Sequence, residues 1–142
     1  MNAKIEDLMV ESVVTTHGHK SIGHVKEIMH TNGISAVPVV AGDGPGELQG
    51  IVTSTDMLDD VSESSPVSTI MSEKVFTVPR YGDPSLAARV MRNQGIHHVV
   101  VTHEQEIVGI LTSFDLLRLV EDHRFVMKNA PTRSTKGSKN RR

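Results

Sequence analysis

GIVTSTDMLDDV (residues 50–61) and GILTSFDLLRLV (residues 109–120) are one phrase written twice, and the second copy decides how the rest of the 142-residue chain divides. Each copy begins with glycine and an apolar pair, passes through Thr-Ser and reaches Asp before a second apolar run. The pattern predicts a strand leading directly into a helix. Working towards the N-terminus, ISAVPVV (34–40) faces IHHVVV (96–101), β-branched runs of strand composition at a shift of 62 residues. Pro38 suggests an edge or strand-start position in the first of them. Between strand and closing phrase, AGDGPGELQ is three residues longer than THEQEI, a glycine-rich hairpin tip that reduces the shift to 59 where Gly50 meets Gly109.

Further back, Ile22, Val25, Ile28 and Met29 match Pro84, Ala87, Val90 and Met91, a stripe of helical period. Ser21 and Asp83 stand as N-caps, Pro84 at the first helical position, and Gly33 and Gly95 as terminators. Val13, Val14 and Thr15 match Val75, Phe76 and Thr77 as a short strand. Ile5, Leu8 and Met9 match Val67, Ile70 and Met71 at the i, i+3, i+4 spacing of a short helix. The expected fold class is α/β (α+β). Each of two tandem repeats runs helix, strand, helix, strand, strand, helix: residues 1–61, a linker at 62–66 (SESSP), and residues 67–125. Two such units must pack together to bury their sheets, giving one composite domain.

Composition narrows the function. Cysteine is absent, which excludes disulfides, thiolate metal sites and cysteine nucleophiles and fits a reducing cytoplasm. The acids of MNAKIEDLMVESVV do not suit a signal peptide, and no run approaches the roughly 20 apolar residues of a bilayer span, so a soluble, cytoplasmic protein without membrane contact is expected. With aromatics at 3% and no Trp, stacking platforms for single-stranded nucleic acid are not expected. All 17 acids precede Pro131 and five of the 15 Lys and Arg follow it, so a body of net charge −7 carries a basic tail. The tail (126–142) is expected to be disordered, and an anionic body opposes nucleic-acid binding.

No nucleophile-elbow or phosphate-loop motif is present, since GDGPG lacks the following Gly-Lys-Ser/Thr and precedes a strand. The chain is therefore expected not to be an enzyme and to require no cofactor. His17, His19 and His24 lack the regular placement that prearranges metal ligands, and no metal is expected. What remains is the repeated Thr-x-x-Asp. Thr53 with Asp56, and Thr112 with Asp115, have the spacing of a capping box, a purely structural role. The same geometry also suits a nucleoside phosphate: amides and a hydroxyl at a helix start favour phosphate, and a carboxylate accepts both hydroxyls of a ribose.

With these residues in view, the chain resembles a tandem pair of cystathionine β-synthase (CBS) domains, a Bateman module, over essentially residues 1–125. The resemblance rests on DLM and TIM, on GISAVPVV and GIHHVVV, and on GIVTSTD and GILTSFD, in order, in spacing and in duplicate. It implies pseudo-twofold symmetry, a disc-like homodimer, and two clefts for AMP, ADP, ATP, NAD or S-adenosylmethionine. It also implies a sensing role that couples occupancy to an unidentified regulated protein or to assembly. By family pattern Asp56 and Asp115 would hold ribose, with Thr53 and Thr112 near ribose or phosphate. Asp115 would work with Val14, Ile34 and Ser35, and Asp56 with Phe76, Ile96 and His97. Phe114 stands where Thr55 offers a hydroxyl, and Val100 where a Pro matching Pro38 is expected. The Asp56 cleft thus keeps the fuller polar set, Phe114 is expected to narrow the other, and occupancy of one cleft is expected more readily than of both. His97 and His98 resemble phosphate-reaching positions, and strand alternation would let only one of them serve a given cleft. The competing reading is a ligand-free scaffold or dimerisation module.

Overall fold

The computed structural model describes residues 2–42 and 46–122. The expected basic tail and the middle of the first hairpin tip (43–45) lie outside the described residues. The first repeat comprises α1 (Ile5–Leu8), β1 (Thr16–His17), α2 (Ile22–Asn32), β2 (Ala36–Val40), β3 (Leu48–Thr53) and a 3-10 turn at Ser54–Met57. The second comprises a 3-10 turn at Val67–Thr69, then β4 (Thr77–Pro79), α3 (Pro84–Gln94), β5 (His98–His103), β6 (Glu106–Thr112) and α4 (Ser113–Asp122). Each repeat forms a three-stranded sheet, β1-β2-β3 and β4-β5-β6, with the first pair parallel and the second antiparallel. The mixed α/β class read from the repeats is the class observed.

The caps explain where the central helices lie. Ser21 Oγ accepts the His24 N–H at 3.1 Å and Asp83 Oδ1 accepts the Ser85 N–H at 2.8 Å, satisfying amides that a helix start leaves open. Gly33 and Gly95 close the two helices at φ of 63° and 65°, the left-handed region that costs other residues about 1–2 kcal/mol.

Four elements differ from expectation. The last helix of the first repeat shrinks to the 3-10 turn Ser54–Met57, whereas α4 runs ten residues. Asp59 and Asp60 would stand at the wrong end of a helix dipole, and the serines before Pro66 favour turns. The linker is instead held against α2, where Ile22 and Gly23 donate their N–H groups to Ser65 O and Glu63 O, both at 2.9 Å. The expected first helix of the second repeat is likewise a 3-10 turn following Pro66. The first strands begin later than Val13 and Val75, and β1 is one residue shorter than β4.

Pro38 accounts for that last difference. It lies inside the central strand β2, not at an edge, opposite Ile51. Ile51 turns its N–H and C=O outward to Ser72, so the pair is a non-hydrogen-bonded one and the Pro38 nitrogen faces the β1 side. In the second sheet the matching Val100 N–H donates to Phe76 O at 3.1 Å and Thr77 opens β4 opposite it. Pro38 has no N–H to give, and β1 pairs only from Thr16 opposite Val39.

Packing shows an exchange between the repeats. Ile5, Leu8 and Met9 are buried not with their own sheet but with Val78, Ala87, Met91, Val99 and Leu111 of the second repeat. Val67, with Ile70 and Met71 beside it, completes the core of Val25, Met29, Val37 and Val52 in the first. Each fully buried aliphatic side chain contributes about 1.5–3 kcal/mol relative to exposure, so neither sheet is covered without the other repeat's leading segment. Arg80 Nε donates to Glu6 Oε1 at 3.0 Å and fixes α1 on its host. Each leading segment then adds to the far edge of the host sheet: Val10 pairs with Ile110, and Ser72 with Ile51. That close approach explains the glycine opening the repeated phrase. A Cβ on Gly109 would meet Met9 Sδ at 2.5 Å and Val10 O at 3.0 Å, and one on Gly50 would meet Met71 Sδ at 2.7 Å and Ser72 O at 2.8 Å.

Candidate ligand clefts

The exchange leaves two clefts, each walled by both repeats. In the larger, a cavity of about 570 Å³, Val14, Ile34 and Ser35 of the first repeat meet Thr112 and Asp115 of the second. In the smaller, about 280 Å³, Thr53, Thr55 and Asp56 meet Phe76, Ile96 and His97. The residues expected from the sequence to meet a ligand border these two cavities, Thr55 and His97 bordering both.

The carboxylates also perform the structural task. Asp56 Oδ2 accepts the Thr53 N–H at 2.8 Å and the Thr53 hydroxyl at 3.3 Å. Asp115 Oδ2 accepts the Thr112 N–H at 2.9 Å, while the Asp115 N–H donates to Thr112 Oγ1 at 3.1 Å. Capping and cleft lining therefore coexist. The box uses Oδ2, and the described hydrogen bonds leave Oδ1 of each carboxylate open as an acceptor.

Between the clefts lies a seam common to both, formed by Ser54, Thr55, His97 and His98. Both histidines border both cavities, contrary to the alternation expected for neighbouring strand residues. The reason is that His97 precedes β5 and only His98 belongs to it. His98 Nε2 lies 3.2 Å from Ser35 Oγ, and His97 Nδ1 lies 3.3 Å from Ser113 Oγ, so each ring is tied to a serine beside the larger cleft. Half-buried, His98 titrates below its ordinary value of 6.5. Burial is the main cause, the neighbouring His97 adds to it, and Asp115 opposes it.

Phe114 does not narrow its cleft. The side chain is 78% exposed at the rim, and its cleft is the larger of the two. Sequence reading missed Lys74, which lines the smaller cleft with Nζ 5.5 Å from the centre of the Phe76 ring. Its signal was available in the repeat, since Ser12 occupies the matching place and lines the larger cleft. Away from the clefts, the His17 and His19 rings stack with centroids 5.9 Å apart, and His17 Nδ1 donates to Val40 O at 3.2 Å. Among the described residues no three His, Asp or Glu side chains converge as a metal group.

Two repeats that exchange leading segments and enclose paired clefts define a tandem-repeat α/β architecture. The chain belongs to the CBS domain family, whose model matches residues 5–63 and again 67–122. It is similar to the CBS domain pair of protein MJ0100 in complex with 5′-methylthioadenosine and S-adenosyl-L-methionine. That likeness has a TM-score of 0.78 and 27% identity and covers 86% of this chain and 98% of that one. The CBS domain protein PAE2072 from Pyrobaculum aerophilum, complexed with AMP, shares the fold at a TM-score of 0.75 and 24% identity, covering 84% of this chain and 99% of that one. Among curated relatives, a homoserine O-acetyltransferase of Methanosalsum zhilinae is 30% identical over 125 residues, 87% of this chain and 25% of that protein. An inosine-5′-monophosphate dehydrogenase of Methanocaldococcus jannaschii is 25% identical over 116 residues, 81% of this chain and 23% of that protein. The chain spans less than half the length of the curated relatives it matches.

Proposed function

We propose that the chain is a non-catalytic sensor module that binds adenosine-containing ligands in its two clefts and couples occupancy to a regulated protein or to assembly. Residues 1–61 and 67–125 are the two CBS repeats in this reading, joined by the linker at 62–66. The observation that carries the reading is the construction of the clefts: each sets an Asp, with one oxygen held by its Thr-x-x-Asp box, against an apolar wall from the other repeat. The free oxygen of Asp56 or Asp115 accepts ribose hydroxyls, and the base lies against Phe76 and Ile96 or against Val14 and Ile34. AMP, ADP, ATP, NAD and S-adenosylmethionine share those two parts. The adenosine ligands named with the MJ0100 CBS pair support this class. Because a ligand touches both repeats, it favours whichever mutual arrangement binds it better and shifts the population accordingly.

Assembly has its own support. Leu58 is 81% exposed and the matching Leu117 56%, with Val120 at 69% on the same side of α4 as Leu117. Such a surface favours a homodimer formed through the repeat ends, and it equally supports the second reading, a dimerisation scaffold with unused clefts. Among the described residues no helix is long and apolar enough to cross a membrane, and a cysteine-free chain suits the cytoplasm.

Calorimetric titration with AMP, ADP, ATP, NAD and S-adenosylmethionine, on the protein and on Asp56→Asn and Asp115→Asn, separates the readings. Asn retains an oxygen for the Thr N–H but removes the charge from the diol bonds, so affinity should fall about 10- to 100-fold at the altered cleft with the sedimentation mass unchanged. Absence of heat with every ligand, together with an unchanged melting temperature in ligand excess, refutes the sensor and leaves the scaffold.

A further inference from the structure

The two clefts differ in charge as well as in size. Among the described residues Lys74 is the one lysine or arginine along either cavity wall, and it belongs to the Asp56 cleft. The larger cleft sets Asp115 against a mostly apolar surface to which Val10, Val13, Ile110 and Phe114 contribute, and it holds Ser12 where the other has Lys74. Between them lies a single set of polar donors, the hydroxyls of Ser54 and Thr55 and the imidazoles of His97 and His98, which both cavities share.

We propose, on the basis of the sensor reading above, that one chain takes two different adenosine derivatives at once. A phosphate-bearing one lies at Asp56 beside Lys74, and one with an uncharged 5′ substituent lies at Asp115. A phosphate entering from the Asp56 side takes the seam hydroxyls and has Lys74 to balance it. A second phosphate, entering from the Asp115 side, finds those donors engaged and a like charge across the seam, with no lysine or arginine among the described residues of its wall to balance it. His98 does little to relieve this at neutral pH, because burial and the neighbouring His97 hold it towards its neutral form. An uncharged substituent meets none of these obstacles and gains contact with the apolar wall around Phe114.

The experiment titrates AMP and 5′-methylthioadenosine separately and then each into protein saturated with the other, using the full chain and Lys74→Gln, Asp56→Asn and Asp115→Asn. Lys74 is exposed, so its replacement should fold, and a melting curve checks each variant. The expected result is one AMP per chain and a thioether site still available at saturating AMP. Lys74→Gln should weaken AMP about fivefold, the scale of a partly exposed charge pair, and leave the thioether affinity unchanged. Asp56→Asn should weaken AMP, and Asp115→Asn the thioether. Two equal AMP sites per chain, mutual displacement of the two ligands, or indifference of AMP to Lys74→Gln would overturn the inference while leaving the sensor reading intact. Failure of both ligands to bind would overturn the two together.

Discussion

Among the described residues Thr16 is the one buried polar residue, with 2% of its surface exposed, and no described hydrogen-bond partner reaches its hydroxyl. The internal repeat supplies the comparison, because the matching residue in the second sheet is Val78, also 2% exposed. Both are β-branched and hold the same strand position, so Thr16→Val exchanges a hydroxyl for a methyl in a setting that already accommodates valine. An unpaired buried hydroxyl costs about 1–3 kcal/mol, and the added apolar group gains roughly 0.8 kcal/mol. Allowing for imperfect fit at β1, which is shorter than β4, the net stabilisation should be about 1–2 kcal/mol. For a domain of this size that raises the melting temperature by roughly 3–8 °C. Urea melts should show a higher midpoint with an unchanged slope, whereas Thr16→Ser, which keeps the hydroxyl and loses the methyl, should move the midpoint down. A Thr16→Val midpoint at or below that of the parent would refute the reasoning, because it would mean that the hydroxyl is satisfied in solution.

Gly109→Ala should destabilise by about 1–3 kcal/mol. Met9 can swing aside, but the Val10 carbonyl 3.0 Å from the new Cβ belongs to the strand bridge itself, and a urea midpoint equal to the parent's would show that the bridge gives way freely. His98 predicts an acid effect of definite sign. Its folded value lies below its ordinary 6.5, so the unfolded chain takes up the proton first and stability falls as pH drops below about 6.5, levelling only below the folded value. Melting temperatures from pH 7.5 to 5 should therefore decline more steeply for the parent than for His98→Gln, and parallel curves would rule out a depressed His98.

Local spacing carried most of what was legible. The helix caps, the glycines ending α2 and α3 and the Thr-x-x-Asp boxes depend on residues within four positions of each other, and each forms where the spacing placed it. The misreadings arise where a distant partner decides. Pro38 reads as an edge residue because its missing N–H is the visible fact, while the register that turns its nitrogen away from β3 depends on Ser72, far along the chain. The 50–61 phrase reads as helical by likeness to 109–120, yet the residues after it bond to the start of α2. Lys74 carries no local signal, because its importance depends on which sheet its segment borders.

That same exchange links the legible and the illegible parts of the site. The repeated phrase ends a strand at Thr53 or Thr112, and the outer edge of that strand is completed by the leading segment of the opposite repeat. Whatever follows the bridge is thereby delivered beside the carboxylate: Val13 and Val14 follow Val10 to Asp115, and Lys74 and Phe76 follow Ser72 to Asp56. The two clefts therefore inherit every difference between the segments 10–14 and 72–76, while the phrases supplying the carboxylates stay nearly alike. A duplication held together by exchange can keep its Thr-x-x-Asp boxes in both halves and still diverge in what else lines each cleft, and the serine and lysine at positions 12 and 74 are where these two segments have diverged in charge.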